Sequence, residues 1–438
     1  MTTPTPAAAS DPEDGAAAFA RRHLRHNLLA LGLDFGFFLV ALSFASPSTI
    51  LPAFAAHLGA PSVVIGAIPA VMTLGWYLPS LFAAGHTQGL RLKLPFVLRY
   101  TLWERVPVSV LAGVAFFLAE RAPAAALGVM LAMLLVMTGV GGFLMPAWMD
   151  IVGRAVPTTL RGRFFAVTSM AGSAGGLAGG VATAWILGAV TPPASYGFCF
   201  LLSTLCMGLS FGALALTREP PASAPPPSPS LGAHLRRIPG LLRGDRNLSW
   251  FLGARALATF GTMAGGFYTL YALRAHGAQP WHVGLFTTIT LAGQLAGSLA
   301  LGWLADRAGH RLVIAIGAVA MGGASLMALG APSLPLFSLV FAAAGVHQAA
   351  IHVSALNVLL EFAPVESERP VYVGLGTTML APVAFLAPLV AGVMVDGWGF
   401  AAVFSTAAAA SVLAVALLLG RVRDPRHAAR SGARGERP

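Results

Sequence analysis

Charged side chains are scarce in this sequence. Only 10% of its 438 residues are Asp, Glu, Lys or Arg, whereas 56% are hydrophobic and the mean hydropathy is +0.76. A soluble globular protein carries about 25% charged residues, so too few are present here to cover a water-facing surface. The deficit excludes a soluble fold for the main body of the chain and indicates a protein embedded in a lipid bilayer.

Cysteine is also nearly absent. The two cysteines, Cys199 and Cys206, are seven positions apart, and two turns of helix separate their Cα atoms by about 10 Å, too far for a disulfide. No cysteine, histidine and acid group has the spacing of a metal site. A nucleophile elbow, an HExxH pair and a P-loop are all missing. The sequence therefore predicts neither an enzyme nor a bound metal or cofactor.

Acidic residues are few beside the basic ones: 16 against 27, for a formal net charge of +11. A nucleic-acid-binding protein would cluster its basic residues with aromatic ones on one solvated face. Here they are scattered among apolar stretches. We therefore expect no nucleic-acid partner, and expect the lipid bilayer and a small solute instead.

Long apolar runs fill the rest of the chain. About 20 apolar residues span a bilayer as a helix, and such a run must be helical because hydrocarbon offers no partner to exposed backbone groups. Twelve runs of about this length are found, numbered here as segments 1 to 12: 27–51, 61–84, 97–119, 124–148, 164–190, 196–216, 249–273, 282–304, 312–330, 334–360, 371–395 and 399–420.

The basic residues predict the orientation. If the N-terminus is cytoplasmic, all but four of the 27 Lys and Arg residues lie on the cytoplasmic side, as the positive-inside rule requires. Arg121 and Arg274 fall outside, and Arg105 and Arg255 lie within segments. A multi-pass protein of the cytoplasmic (inner) membrane with both termini cytoplasmic is expected.

The chain divides into two similar halves. An N-tail (1–26) precedes a six-helix bundle (27–216), a linker (217–248) leads to a second bundle (249–420), and a C-tail (421–438) follows. The linker opens with the proline-rich TREPPASAPPPSPS (Thr217 to Ser230), which favours an extended, solvated chain. Leu235, Ile238 and Leu242 then recur at helical spacing opposite arginines. They indicate either a helix on the membrane surface or a basic tether.

Two loops reveal the repeat. After segment 4, MDIVGRAVPTTLRGRFFAV (Met149 to Val167) contains Asp150, Pro157 and Arg161. After segment 10, LLEFAPVESERPVYVG (Leu359 to Gly374) has an acid, a proline and an arginine in the same order, at Glu361, Pro364 and Arg369. The fold class predicted is all-α and polytopic, with twelve transmembrane helices in two pseudo-symmetric six-helix bundles. Such repeats place a substrate site near the midplane, between the halves.

A third loop carries the most specific motif. GWLADRAGHR (Gly302 to Arg311) concentrates charge and glycine between segments 8 and 9, and it resembles the loop signature of the major facilitator superfamily: Gly, Asp, Arg, Gly and two basic residues. His310 and Arg311 occupy the basic places. Over residues 27–420 the resemblance implies the fold of that superfamily, with two bundles that rock against each other.

The resemblance implies that this loop acts as a cytoplasmic latch, a contact between the two halves that loosens during alternating access. The resemblance and the repeat symmetry imply that Asp306 faces Arg161 and Arg163 at the start of segment 5. Gly302, Arg307, Gly309 and Arg311 would shape and anchor the loop. The matching stretch GHTQGLRLKL (Gly85 to Leu94) has Gly89 where the acid belongs. Glu104, Glu366 or Glu368 is expected to supply the missing carboxylate.

Segment 5 carries a run of small residues, GSAGGLAGG (Gly172 to Gly180). It is similar to the glycine-rich motif of the superfamily's antiporters, except that Gly176 replaces the proline. Small residues at this spacing let helices approach closely. The sequence favours close packing over an antiporter assignment.

Ionisable residues within the segments are the functional candidates. Asp34, about two turns into segment 1, lines the cavity if the superfamily geometry holds, and it is our candidate for carrying a coupling proton. Glu104 and Arg105 form a charge pair in segment 3, which the same geometry places on the outside of the bundle. Arg255 begins segment 7 and either extends to the interface or contacts substrate.

Polar side chains gather in segment 10. Gln348 and His352 share a helix face, whereas His347 and His352 are five apart and suit no metal. This group either bonds neighbouring helices or lines the cavity. Gln294 in segment 8 and Tyr268 and Tyr271 in segment 7 are expected to join the same cavity, although aromatic residues there also serve packing.

The sequence thus predicts a secondary active transporter of a small organic solute, working as a monomer by alternating access, with proton-coupled efflux as the direction considered. Facilitative or other-ion-coupled uptake is an alternative, and so is a transporter-like sensor that no longer transports. H⁺ is the coupling ion considered, with His347 or His352 as the second choice after Asp34, because an imidazole titrates near physiological pH.

The topology can be tested by thiol labelling. In a background lacking Cys199 and Cys206, single cysteines at Gly277 and Gly232 should react with an impermeant reagent from opposite sides of the membrane. Labelling of both from one side of intact cells would overturn the twelve-segment assignment.

Overall fold

The chain is helical throughout its described part. The computed structural model describes residues 18–87, 90–220, 239–363, 365 and 368–424, and these ranges contain no β-strand. Parts of three predicted units lie outside them: the ends of both tails, and linker residues 221–238 with Leu235 and Ile238.

The first half consists of segments 1 to 6. Segment 1 is two helices, Leu24–Phe44 and Ile50–His57, separated at a Ser-Pro-Ser turn where Pro47 has no N–H to continue the helix. Segment 3 runs over Leu94–Gly113 and ends in a π-helical turn, Val114–Leu118. The remaining helices are Ser62–Thr87, Pro123–Ala155, Thr158–Ala189 and Ala194–Ala215.

The second half is built in the same way. Segment 7 is two helices, Arg246–Gly261 and Gly265–Ala275, joined by the 3₁₀ turn Thr262–Ala264. Segments 8 to 10 are Pro280–Ala308, His310–Gly330 and Leu334–Phe362. Segments 11 and 12 form one helical stretch, Arg369–Gly420, that is interrupted at Gly399, where φ is 79°.

By length and composition, the described residues contain ten helices able to span a membrane. This number treats Val371–Gly420 as one helix and leaves out the two short helices of segment 7. Dividing the former at Gly399 and joining the latter gives the twelve predicted segments. The two numbers differ because segment 7 is broken and segments 11 and 12 are merged.

Two seams join the halves. Segment 5 packs against segment 8, and segment 2 packs against segment 11. Both seams rely on missing side chains, because a Cβ on Gly66 would collide with the Pro388 carbonyl and a Cβ on Gly284 would collide with the backbone of Ala184. In the small-residue run of segment 5, Gly172 contacts Leu39 of segment 1 and Gly180 contacts Thr288 of segment 8. Through these contacts, segment 5 packs closely against segments 1 and 8.

Hydrogen bonds reinforce the seams at one end of the molecule. We call the helix ends that border the linker the linker side, and the opposite ends the far side. On the far side, the Thr49 and Thr287 hydroxyls are 2.6 Å apart, and Thr269 donates to the Ser48 carbonyl at 2.9 Å. The Asp396 carboxylate of segment 11 accepts from Ser62 N and Val63 N, 3.3 and 3.4 Å away, at the start of segment 2. An anion is favourable there because of the helix dipole.

A pair of clasps closes each half on the linker side. In the first half, the Asn27 side chain donates to the Arg218 carbonyl at 2.9 Å and accepts from Arg218 N at 2.9 Å. In the second half, Asn247 makes the same two bonds with Arg423, at 2.9 and 2.7 Å. The clasps tie the first turn of segments 1 and 7 to the chain that follows segments 6 and 12.

The residue after each clasp arginine is acidic and reaches a neighbouring helix. Glu219 accepts from Lys93 N and Leu94 N at 2.8 and 2.7 Å, so it caps segment 3. Asp424 lies against Gly309, at the start of segment 9, where φ is 91°. The repeated dipeptide Arg-Glu or Arg-Asp therefore places an acid beside the start of the third segment of each half.

These contacts correct the expectation for the acid missing near Gly89. Lys93 pairs with Asp150 at 2.8 Å, and Arg154 pairs with both Asp150 and Glu219 at 2.7 and 2.5 Å. Glu104 does not reach this loop, because its carboxylate lies beside Arg105. Glu368 begins segment 11 with no side-chain capping bond, and Glu366 lies outside the described residues.

The clasp can be tested by removing one side chain. Asn27 is fully buried, and Asn27→Ala leaves the Arg218 N–H and carbonyl without their partner. We expect a loss of about 1–3 kcal/mol, measured as a lower melting temperature of the purified protein in detergent. Asn357→Ala is the matched control, because Asn357 is exposed and bonds only a carbonyl of its own helix. Equal melting temperatures for the two variants would contradict a structural role for the clasp.

Candidate functional site

A buried group of charges lies inside the first half. Asp34 of segment 1 and Glu104 and Arg105 of segment 3 are 3%, 8% and 7% exposed. Segment 3 packs against segments 4 and 6 of its own half and turns these side chains toward segment 1. Because these side chains are buried within helices that span the membrane, each charge needs a protein partner.

Arg105 and Asp34 form the centre of this group. The Arg105 guanidinium lies 3.0 Å from Asp34 Oδ1 and donates to the Ser210 hydroxyl at 2.8 Å and to the Met207 carbonyl at 3.2 Å. Ser210 donates in turn to Asp34 Oδ1 at 2.6 Å, and Trp148 Nε1 donates to Oδ2 at 2.9 Å. Both oxygens of Asp34 therefore accept bonds, and its negative charge is balanced.

Glu104 is held less firmly. It accepts from the Thr101 hydroxyl at 2.9 Å, and its distance to Arg105 Nη1 is 3.5 Å. Arg105 Nη1 also contacts the Thr101 hydroxyl. When all three groups are ionised, two carboxylates share one guanidinium, which leaves one net negative charge. We call Asp34, Thr101, Glu104, Arg105, Trp148 and Ser210 the charge cluster.

A cavity of about 230 Å³ adjoins the charge cluster. Asp34, Glu104 and Arg105 form its polar wall. Most of the other lining residues are apolar or aromatic: Phe35, Phe38, Trp76, Leu144, Met145 and Trp148. The volume holds several waters or a small organic group. Asp34 thus borders a cavity lined by first-half residues, and it does so in an ion pair that the sequence did not reveal. That Asp34 lines the substrate cavity between the halves stays a prediction.

The second group of predicted residues lies in the other half. His347 is buried, and its Nδ1 is 2.9 Å from the Gly317 carbonyl, so this nitrogen carries the proton and donates. Gln294 Nε2 is 3.1 Å from His352 Nδ1, which joins segments 8 and 10. Gln348 is half-buried, one turn before the exposed His352. Segment 10 thus both bonds its neighbours and presents polar groups on an open face.

Two aromatic candidates serve packing. Tyr268 is 1% exposed, bonds the Ser325 hydroxyl at 2.8 Å, and lies among Phe341 and Phe404. The prediction that it lines the cavity is wrong, because its ring completes the core of the second half. Tyr271 contacts Phe337, Phe400 and Phe404 in the same core.

The predicted latch residues occupy the linker side. Arg161 donates to the carbonyls of Gly153 and Val156, at the end of segment 4, while Arg163 and Asp306 are exposed. Arg307 stacks 3.9 Å above the Trp303 ring, and Arg311 donates to the Val422 carbonyl at 2.5 Å. His310 lies 3.8 Å from Glu361, as Lys93 lies beside Asp150. A closed latch between Asp306 and Arg161 stays a prediction for another conformation.

A sequence model of the Major Facilitator Superfamily matches residues 251–438, which include segments 7 to 12. The fold is similar to that of a nucleoside transporter, NupG, solved as a mutant: the TM-score is 0.69 at 15% identity, over 90% of this chain and 100% of that one. The second half of the chain therefore resembles the major facilitator superfamily in sequence, and the described residues share the fold of solved transporters. Together with the ten helices able to span a membrane, these likenesses indicate a multi-pass membrane protein of the transporter kind.

Other solved transporters share this superfamily fold. A POT family transporter in complex with a thioalcohol-conjugated peptide has a TM-score of 0.66 at 14% identity, covering 90% of this chain and 94% of that one. A bacterial homologue of the iron transporter ferroportin, in an inward-facing state, has a TM-score of 0.64 at 14% identity, covering 91% and 98%. No curated protein matches this chain.

Several residues of the site cannot be chosen from the sequence. Ser210 and Trp148 bond Asp34 from segments 6 and 4, and both are ordinary membrane-helix residues when read alone. The sequence does not single out Asp396 as a site residue, because it lies near a helix end, where an acid can face water. Glu219 could have been identified from the sequence, because the Arg-Glu-Pro after segment 6 repeats as Arg-Asp-Pro after segment 12.

The ion pair between Asp34 and Arg105 leads to a prediction about stability. Arg105→Gln leaves the Asp34 charge buried without its main partner and should cost about 3–5 kcal/mol, seen as a large drop in melting temperature. The double variant Asp34→Asn with Arg105→Gln removes both charges and should recover most of the loss. Arg99→Gln, on the exposed face of segment 3, is the control. If the double variant is no more stable than Arg105→Gln, the two groups do not act as a pair.

Proposed function

We propose that the protein is a secondary active transporter of a small organic solute that works by alternating access and is coupled to protons. The observation that carries the proposal is the pair of seams: segments 5 and 8 and segments 2 and 11 make backbone-to-backbone contacts between the two bundles. Such surfaces let one bundle rock on the other. The solved transporters with this fold include proteins named for nucleoside transport and one bound to a conjugated peptide, which supports an organic solute.

The arrangement of the seams supports an inward-facing state. The named hydrogen bonds between the halves, from Thr49, Thr269 and Asp396, all lie on the far side. Segment 8 meets segment 5 at Gly284, Thr288 and Leu291, within its first half, and then turns to segment 10 at Gly293 and Gly297. With the linker side assigned to the cytoplasm by the positive-inside rule, the halves are closed toward the outside.

The latch then belongs to the opposite state. When the linker side closes, Asp306 approaches the start of segment 5, where Arg161 and Arg163 offer positive charge and the helix dipole favours an anion. The Asp396 carboxylate would release the start of segment 2 in the same movement. Asp306 and Asp396 thus take turns: in each state, one of the two acids caps a helix of the half to which it does not belong. The protein is proposed to do this as a monomer in the cytoplasmic membrane.

The charge cluster supplies a group for proton coupling. Two buried carboxylates share one guanidinium, and desolvation makes a second uncompensated charge costly. Asp34 accepts from Arg105, Ser210 and Trp148, whereas Glu104 accepts from Thr101 and has only a long contact to Arg105. Glu104 therefore takes the proton first, and Asp34, our candidate from the sequence, holds Arg105 in place. Gly141 and Trp76 approach Glu104 from segments 4 and 2 and bring no charge.

Flux in sealed vesicles tests the coupling. A solute found by thermal-shift screening should accumulate against its gradient when a pH gradient is imposed on wild type. Glu104→Gln should abolish that accumulation while exchange of solute across the membrane continues, because exchange needs no net proton movement. Asp34→Asn should do the same and also lower stability. Glu120→Gln, which changes an exposed acid after segment 3, should behave as wild type.

Two results would count against this proposal. Uphill transport by Glu104→Gln at the wild-type level would reduce the cluster to a structural role. Indifference of the wild type to the pH gradient would indicate uniport or coupling to another ion, while leaving alternating access intact.

A further inference from the structure

Arg255 is a buried cation that no acid neutralises within the described part of the chain. It lies more than two turns inside the first helix of segment 7, and its side chain is 7% exposed. It forms no ion pair there, unlike Arg105 and Arg154, and no hydrogen bond of its side chain is found there either. None of its nitrogens is fully enclosed without a partner, so the charged end borders accessible space.

The neighbours of Arg255 come from both halves of the protein. The Tyr77 hydroxyl of segment 2 and the His347 ring of segment 10 lie within electrostatic range of the guanidinium. Tyr77 is 38% exposed, at a depth where segment 2 has left the far-side seam at Gly66. Because one of these neighbours belongs to each half, the guanidinium lies on the side of its bundle that faces the first half.

An unpaired arginine in this position is costly. Guanidinium groups in membrane helices pair with acids, with carbonyls or with a water-filled pathway, and an uncompensated buried charge destabilises a protein by several kcal/mol. The charge cluster shows how this chain satisfies such a group when it is structural: Arg105 has a carboxylate, two hydroxyls and a carbonyl. Arg255 has none of these, which leaves its five donors for a ligand.

The charge around Arg255 limits the ligand. His347 is already committed to the Gly317 carbonyl, and Gln294 and His352 bond each other. No described acid of segments 11 and 12 competes with a ligand for Arg255, because Asp396 lies on the far side. One guanidinium balances one negative charge, and its planar fork matches the two oxygens of a carboxylate. A phosphate dianion would leave a second charge without a partner.

We propose that Arg255 binds the carboxylate of a monoanionic organic solute between the two halves, with Tyr77 as a hydrogen-bond donor beside it. The inference rests on the proposed transport function and specifies the substrate class of that site. The remainder of such a solute would contact the face of segments 8 and 10 that carries Gln294, Gln348 and His352.

Matched pairs of small solutes test the charge requirement. Acetate, butyrate, benzoate and phenylacetate are compared with their neutral amides, and phenyl phosphate serves as the dianion. Binding is measured as the shift in melting temperature of the purified protein at constant pH. At least one carboxylate should stabilise the wild type while its amide and phenyl phosphate do not. Arg255→Gln should weaken that binding about 10- to 100-fold, the range that one lost charge-assisted hydrogen bond gives.

Two further variants keep this test independent of folding. Arg255→Gln removes an unpaired buried charge, so its ligand-free melting temperature should not fall below that of the wild type. Arg255→Lys keeps the charge but loses the fork, and should bind the carboxylate with intermediate affinity. Arg274→Gln is the matched control, because it removes an exposed arginine from the same segment. Its carboxylate binding should equal that of the wild type.

The outcomes separate this inference from the transport proposal. Equal stabilisation by carboxylates and amides, or unchanged carboxylate binding in Arg255→Gln, overturns the anion site even if vesicles still transport a neutral solute. The anion site is also overturned if no carboxylate in the panel stabilises the wild type. Carboxylate binding that depends on Arg255 but leads to no flux in vesicles supports the site and counts against transport.

Discussion

Hydrocarbon cannot solvate a charge or an unpaired peptide group, and the arrangement of this protein follows from that constraint. Each charged residue inside a segment must find a partner within the protein or face a space that water or a ligand can enter. The Arg105 guanidinium shows the first solution, with Asp34, Ser210 and a backbone carbonyl around it. Arg255 shows the second. The difference between the two arginines separates a structural centre from the place where we propose that solute binds.

The same constraint explains the contrast between the two sides of the membrane. On the linker side, where water and headgroups are near, each half has a network of charges: Lys93, Asp150, Arg154 and Glu219 in the first, His310 and Glu361 in the second. Deeper in the protein, the halves meet through glycines and threonine hydroxyls. Among the contacts described between the halves, the Asp396 carboxylate at the far side is the charged one. The glycines and threonines of the seams carry no charge, so bundles joined in this way can separate at low cost.

Much of the architecture could be predicted from composition and spacing. Segment lengths, the repeat and the loop motif at Gly302 lead to the superfamily and its fold, because these depend on the local chain and the thickness of a bilayer. The charge cluster could not be predicted, since Asp34 and Arg105 are 71 positions apart and only the packing of segments 1, 3 and 6 brings them together. The prediction for Tyr268 is wrong for a related reason: a tyrosine in a lining helix turns inward or outward by a rotation of that helix, which hydrophobicity in a membrane does not determine. For the same reason, the sequence does not determine the side to which Arg255 points.

The clasps have a consequence for how the two bundles are connected. Asn27 meets Arg218 and Asn247 meets Arg423, so each bundle begins and ends at the same point on the same face. No contact of either bundle requires the first to precede the second along the chain. A permuted gene encoding residues 239–424 ahead of residues 18–220, with a tether of adequate length between them, would specify the same pair of bundles, their seams and the space that Arg255 faces.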